Sequence, residues 1–509
     1  MLTLTIGGLL LAAVYYYLTR TFNYWIKRGV KHDKPIPLFG TNAKNFLLCA
    51  NPVDMAREAY KKYPTEQLVG FFRGTRPELI IRDPELAKRV LTSDFNSFHR
   101  RGIVDSSTME PLQKQQVAAD DDLWRQLRLR MTPAFSSGKL KAMFPLIVER
   151  AEILQARLKE ISNKQQAVDA RDLMARFTND IIGSAGFGVV SDSLNNEEDA
   201  MRKLGLKIFS INFTRVINQT LKNLNPKFFG HLKILGNVEK DVIEMVRTVM
   251  QQRNYEPSGR HDFIDILLEC KKKGAMTGDS IVETNPDGTP KKVSIEMDET
   301  IMAAQSFLFF AAGFETSSSV SSYTLHELAH NPHVQEKAQA EIDKVLLKYN
   351  NKLCYDAILE MSYLRWCLNE AMRVFPSVGI LRRQSVHPYT FPGTKVTIDG
   401  GVTVIIPLEA YQNDPKIFPE PQEFRPERFD PDVMTHEQKV AYLPFGGGPR
   451  ACIGERLGVM QSMAGLAAVL AQYSVRPAGA PRYPTSSPYS GAVNFIKGGL
   501  PLIFQERKL

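Results

Sequence analysis

Phe445-Gly446-Gly447-Gly448-Pro449-Arg450-Ala451-Cys452-Ile453-Gly454 reads as a glycine-rich turn feeding a helix, with one cysteine at the junction. The apolar run that follows (Leu457, Met460, Met463, Ala464, Ala467, Leu470) has helical spacing and no proline. Cys452 is thereby placed at a helix N-terminus, where free N–H groups and the positive end of the macrodipole favour the thiolate. Arg450 adds positive charge two residues earlier. The glycines let the backbone approach something large and flat, and leave N–H groups free to bond the sulfur. A thiolate with no partner cysteine nearby suits a metal better than a disulfide.

Phe445, Gly448, Arg450, Cys452 and Gly454 fit F-x-x-G-x-R-x-C-x-G. In this the chain resembles the cytochrome P-450 superfamily, whose heme-ligand signature this is. The resemblance implies heme b (iron protoporphyrin IX) as cofactor, with Cys452 as the axial thiolate that pushes electron density toward O–O cleavage. The plain alternative is a buried cysteine in an ordinary turn.

A chain of 509 residues suggests about three domains by length alone. The motifs span most of the chain and belong to one large domain, which overrides that prior. The net charge of +9 permits an acidic partner or an anionic membrane, and no basic stripe interleaved with aromatics calls for nucleic acid. The five cysteines (Cys49, Cys270, Cys354, Cys367, Cys452) are odd in number and lack a C-x-x-C pair, which argues for a reducing compartment.

Residues 1–20 are expected to form a transmembrane anchor. Met1–Thr19 carries no charged side chain, and about eighteen helical residues span roughly 27 Å, close to a bilayer core. Tyr15–Tyr17, Phe22, Tyr24 and Trp25 read as an aromatic belt, and Arg20, Lys27, Arg28, Lys31 and Lys34 put the following side in the cytoplasm. A cleaved signal peptide would need a basic segment before the apolar run and a cleavage site after it, and neither is present. Residues 21–40 form a basic, proline-rich hinge, and residues 41–509 the catalytic domain.

Trp124 and Arg128 lie four apart on one helix face. In the family this W-x-x-x-R pair reaches a heme propionate, and Arg383 matches the arginine that reaches the second. Asp298–His330 is a long helical run of about 50 Å. Its centre, Ala311-Ala312-Gly313-Phe314-Glu315-Thr316, puts glycine and hydroxyls in mid-helix, which marks a kink. It matches the family's A-G-x-E/D-T oxygen-activation motif, which assigns Thr316 to hydrogen-bonding the oxygen and Glu315 to relaying protons, with Ala312 and Gly313 shaping the gap. Glu370 and Arg373 share a helix face, and with Arg428 they resemble the family's structural Glu–Arg–Arg triad. Many relatives carry His where this chain has Gln412.

His326-Glu327-Leu328-Ala329-His330 matches the H-E-x-x-H zinc helix but lacks the longer third-ligand patterns, and the two histidines are expected at the surface. Lys271–Ser294 reads as a flexible surface connection, and Thr390–Ile406 as a hairpin turning at Asp399-Gly400.

The resemblance implies a mainly helical cytochrome P-450 fold with small β-sheets, most like an insect member of the microsomal xenobiotic-metabolising clan of insects and vertebrates. It implies a monooxygenase acting on lipophilic small molecules at the endoplasmic reticulum membrane, its catalytic domain facing the cytoplasm. Electrons would come from NADPH through a separate NADPH-cytochrome reductase, with cytochrome b5 as a second donor. Arg125, Lys139, Lys141 and Arg456 are the candidate reductase contacts. A dedicated biosynthetic hydroxylase, a reductase-independent peroxide isomerase and a non-catalytic heme binder are the alternatives. Gly102–Ala118, Lys203–Lys222 and Ser306–Ala311 are expected to line the pocket, with Phe307, Leu308, Phe309 and Phe310 making it greasy near the heme. The substrate itself is not readable.

Overall fold

The computed structural model describes residues 2–103, 110–189, 191–209, 213–224, 226–260, 262–479, 481–488 and 493–508. The pocket-lining expectations at 104–109 and 210–212 lie outside them.

Helices dominate, and small sheets sit at the periphery. The longest helix, Glu299–His330, starts where Asp298 caps it by accepting from the Ile301 N–H at 2.6 Å. Its residues are apolar or small all round, the pattern of a helix buried on every side. It packs against Ala170–Ile182, Ser362–Val374 and Glu455–Gln472. Gly313 lies at the first of these contacts, where a Cβ would sit 2.6 Å from Ile182 Cδ1. The expected kink does not break the helix, which is continuous through Gly313 and Thr316.

The main sheet runs Leu68–Arg73, Arg76–Ile81, Thr403–Ile406, Leu381–Gln384. The first two strands form a hairpin, and Asp83 and Pro84 open the next helix as N-cap and first residue. Thr403–Ile406 joins this sheet, parallel to Arg76–Ile81 and antiparallel to Leu381–Gln384. No hairpin therefore turns at Asp399-Gly400. The short pair there is Tyr389–Thr390 with Thr397–Ile398, whose turn is closed by Phe391 and Val396.

Two further expectations are corrected. The stretch read as a flexible connection is a two-stranded hairpin, Met276–Thr284 with Pro290–Ile295. Asp122 pins it to the Asp121–Met131 helix by accepting from Ile281 N–H at 2.7 Å and Ser280 Oγ at 2.8 Å. The turn residues were legible, but the long-range carboxylate that holds the ladder down was not.

The second correction concerns the aromatic residues that follow the N-terminal helix. Leu2–Thr19 is an 18-residue helix with outward Leu4, Leu9, Leu10, Leu11 and Tyr16. Among the described residues, no helix is long and apolar enough to cross a membrane, so the expected span is not shown. Part of the supposed aromatic belt belongs to the domain. Trp25 is fully buried, donates its indole N–H to Phe71 O at 3.0 Å, and fills the space above Gly70. Phe22 meets Phe72 edge-on, and the Tyr24 hydroxyl accepts from Asp399 N. The hinge is thus laid against the main sheet.

Candidate functional site

The Phe445–Gly454 turn folds back on itself, with Cys452 N–H donating to Phe445 O at 2.8 Å. Gly448 has a φ of +69°, and a Cβ there would lie 1.7 Å from Leu91 O, so no other residue fits. The helix after it begins at Glu455 with Gly454 as N-cap, three residues beyond Cys452. The Cys452 side chain is exposed, yet protein surrounds it, so it opens onto an interior face.

The electrostatics differ from the sequence expectation. Burial pushes the Cys452 thiol up, while the Gly454 N–H, Arg128 and Arg101 pull it down. Arg450 does not face the sulfur. Its Nη2 donates to Asp120 Oδ1 at 2.8 Å and Ala119 O at 3.0 Å, and its guanidinium stacks on Trp124 at 4.3 Å.

Four arginines gather here from four segments. Arg128 donates to Ala451 O at 2.8 Å, and Arg101 to Arg450 O at 3.2 Å. Arg383 is 1% exposed and donates to Arg382 O at 2.8 Å. Burial lowers all four, with Arg450 pushed down to about 9 and Arg383 well below its ordinary value, where Arg101 and Arg450 also repel it. Among the described residues, Arg383 Nε and Arg450 Nε and Nη1 are buried without a hydrogen-bond partner. Buried guanidiniums crowded round one carboxylate, with donors to spare, require further anionic oxygen. Two propionates supply that, so the residues present fit heme b. Arg101 was missed in the sequence, where it stands in no motif. Arg382 and Arg383 are separated by strand alternation, Arg382 turning instead to Glu78 at 2.8 Å.

In the middle of the long helix Ala312 is exposed, and Phe307, Leu308, Ala311, Gly313 and Thr316 are half-buried. That is the open face of the helix. Phe309 and Phe310 are not on it; Phe309 stacks on Phe263 at 4.2 Å and Phe310 meets Phe187 and Phe314 in the core. The Thr316 hydroxyl donates to Ala312 O at 2.6 Å. Glu315 is 5% exposed and ion-paired with Arg171 at 2.5 Å, with the Ser319 hydroxyl at 3.5 Å.

Glu370, Arg373 and Arg428 come together in the core. Arg373 Nε and Nη2 donate to Glu370 at 2.7 and 2.9 Å, and Arg428 Nε stands 3.4 Å from the same carboxylate. Arg373 also donates to Gln412 O at 2.9 Å. The Gln412 side chain is fully buried, with neither amide atom partnered among the described residues.

Of the two histidines expected at the surface, His330 is half-buried and His326 is not there. His326 is fully buried, its ring 4.6 Å from that of His330, and Arg482 pairs with Glu327 at 2.6 Å. A strand-side segment covers this end of the helix, which local sequence does not reveal. Among the described residues, no group of three or more His, Cys, Asp or Glu side chains could hold a metal ion.

The family model described as Cytochrome P450 matches residues 31–498. Cytochrome P450 6B2 of Helicoverpa armigera is 35% identical over 98% of this chain and 97% of its own length. Cytochrome P450 6B1 of Papilio polyxenes is 36% identical, covering 93% of each chain. Probable cytochrome P450 6a18 of Drosophila melanogaster is 36% identical over 97% of this chain and 96% of its own.

Proposed function

The chain belongs to the cytochrome P450 family, a heme b monooxygenase, and we propose that it inserts one oxygen atom from O2 into lipophilic small molecules, xenobiotics foremost. The observation that carries this is the lone Cys452 thiol beside four arginines, two of which, Arg383 and Arg450, are buried with unpaired donors. When bound, heme b supplies the redox-active iron, held by the Cys452 thiolate, at which dioxygen is cleaved. Arg101, Arg128, Arg383 and Arg450, with Trp124, hold its two carboxylates. Thr316 releases Ala312 O and turns its hydroxyl to the oxygen side, carrying the proton there. Glu315 supplies the charge behind it, balanced by Arg171. Leu308 and Ala312 present apolar surface, which favours a greasy substrate and no fixed charge.

The Leu2–Thr19 helix, with apolar side chains outward and no charge, holds the protein at the endoplasmic reticulum membrane, the domain on the cytoplasmic side. Electrons come from NADPH through a separate flavoprotein reductase, with cytochrome b5 as a second donor. Of the candidate contacts, Lys139 lies 3.9 Å from Glu269, Lys141 bonds Asp356, and Arg456 donates to Ser137 Oγ, all exchangeable surface contacts.

The test is to reconstitute the heme-loaded protein with reductase in microsomal lipid and supply isotope-labelled dioxygen. One labelled oxygen atom per product, with NADPH consumed across a panel of unrelated lipophilic compounds, is expected. Turnover of a single steroid or fatty acid would replace this reading with a dedicated biosynthetic hydroxylase. Alanine at Arg125, Lys139, Lys141 and Arg456 should weaken the salt-dependent reductase affinity, and an unchanged Kd removes them from the docking face.

A further inference from the structure

Six consecutive carbonyls of the long helix each receive a side-chain donor. The Thr316 hydroxyl donates to Ala312 O at 2.6 Å, and the Gln461 amide to Gly313 O at 2.7 Å. The Thr178 hydroxyl shares its one proton between Phe314 O and its own helix's Met174 O, each at 3.0 Å, and Ser318 donates to Glu315 O at 2.9 Å. Ser377 and Ser462 approach Thr316 O and Ser317 O at 3.4 and 3.5 Å. Thr178, Ser377, Gln461 and Ser462 come from outside the helix. Among the described residues, the helix's other carbonyls with side-chain donors from outside it lie in its last turn, where the ladder has ended: Asn331 donates to Glu327 O at 2.7 Å and Gln335 to Leu328 O at 3.1 Å.

Each carbonyl has two lone pairs, and the helical ladder uses one. A buried carbonyl that loses its ladder bond normally bears the penalty of an unmade hydrogen bond. Here it keeps its outside donor, so the ladder can part at little cost. Gln461 is placed at the bond that parts. Its Nε2 reaches Gly313 O and, at 2.6 Å, Ser317 Oγ, the two ends of one i, i+4 step. Its Oε1 is buried and without a partner among the described residues, an acceptor in reserve for what Ser317 releases.

We propose that Gln461 and Thr178 are positioning residues that let the Gly313–Ser317 turn open and close without stranding its carbonyls. Gln461 lies on the helix that follows Cys452, so the thiolate side of the fold holds the turn directly. The use of that opening rests on the proposed oxygen chemistry; the opening itself does not.

Hydrogen exchange on the heme-loaded protein, followed by mass spectrometry, tests it. Gln461→Met keeps the length of the side chain and removes both polar atoms. Thr178→Val removes the other donor with little change of shape, and serves if the first variant folds poorly. In either variant, exchange over 313–319 should slow about tenfold, because opening now strands a buried carbonyl, while exchange over 299–305 stays as it was. Faster exchange, as a packing role would give, or unchanged exchange overturns the proposal. Slowed exchange with more NADPH consumed per product supports both the opening and its use. Slowed exchange with unchanged NADPH per product keeps the opening and refutes its use in oxygen chemistry.

Discussion

The guanidinium carbon of Arg450 lies 4.3 Å from the centre of the Trp124 ring. The signature arginine and the W-x-x-x-R tryptophan, distant in sequence, meet face to face. A cation held this way is fixed in direction, and Asp120 fixes it from the other side. Its remaining donors are thereby aimed rather than free to wander. Trp124→Leu keeps apolar volume but loses the ring face and the indole N–H. The heme-to-protein absorbance ratio of the purified variant should fall about tenfold. Trp124→Phe, which keeps the face, should fall less. An undiminished ratio in the leucine variant would show that the tryptophan does not organise the site.

Glu370 and Arg373 are both fully buried and bonded through two oxygens. Either Glu370→Ala or Arg373→Ala leaves a buried charge without its partner, at a cost of about 3–5 kcal/mol. The pair acts as a unit, so the double variant should cost much less than the sum of the singles. Urea denaturation of the three variants measures this. Additive losses would mean that the two charges are separately solvated.

How much of this could be read in the chain follows from range. Cys452, the triad and the Trp124 face were legible because each is fixed by spacing along one turn or one helix. Arg101 was not, since its place depends on a loop that returns to the Arg450 carbonyl. His326 was misread for the same reason: the Arg482 segment that buries it arrives from more than a hundred residues downstream. The phenylalanines of Phe307–Phe310 showed the opposite failure. Composition marked them as greasy, but the 100° step between helix neighbours turned Phe309 and Phe310 into the core and left Phe307 and Leu308 half-buried.

Burial raises Glu327 from 4.5 to about 7, against the pull of Arg482, and lowers His326 from 6.5 to about 4. The signs oppose each other. The Glu327 contribution is fully present below pH 4.5 and is lost as pH rises toward 7. The His326 contribution is present above pH 6.5 and is lost as pH falls toward 4. Each amounts to about 3 kcal/mol at most. Glu327→Gln should therefore gain on the wild type as pH rises through 4.5–7, and His326→Gln should gain as pH falls through 6.5–4. Denaturation midpoints across pH 4–8 check this, and parallel curves for all three proteins would contradict it.

Glu315 and Arg171 form the last pair with a direct bearing on chemistry. The carboxylate is 6% exposed and the guanidinium 21%, at 2.5 Å, with Arg171 also against the Phe495 ring. A buried carboxylate beside the oxygen-side threonine is costly unless it is balanced, and Arg171 is its only ion-pair partner among the described residues. Arg171→Met should then destabilise by about 3 kcal/mol, the lower end for a buried pair because the arginine is partly wetted. Glu315→Gln in the same background should recover most of that loss, since the uncompensated charge is gone. It should not recover function: if the Glu315 charge supports protonation at Thr316, NADPH consumed per product rises in Glu315→Gln and stays high in the double variant. Restored stability with restored coupling would mean that the pair is architectural, and that the proton reaches Thr316 by another route.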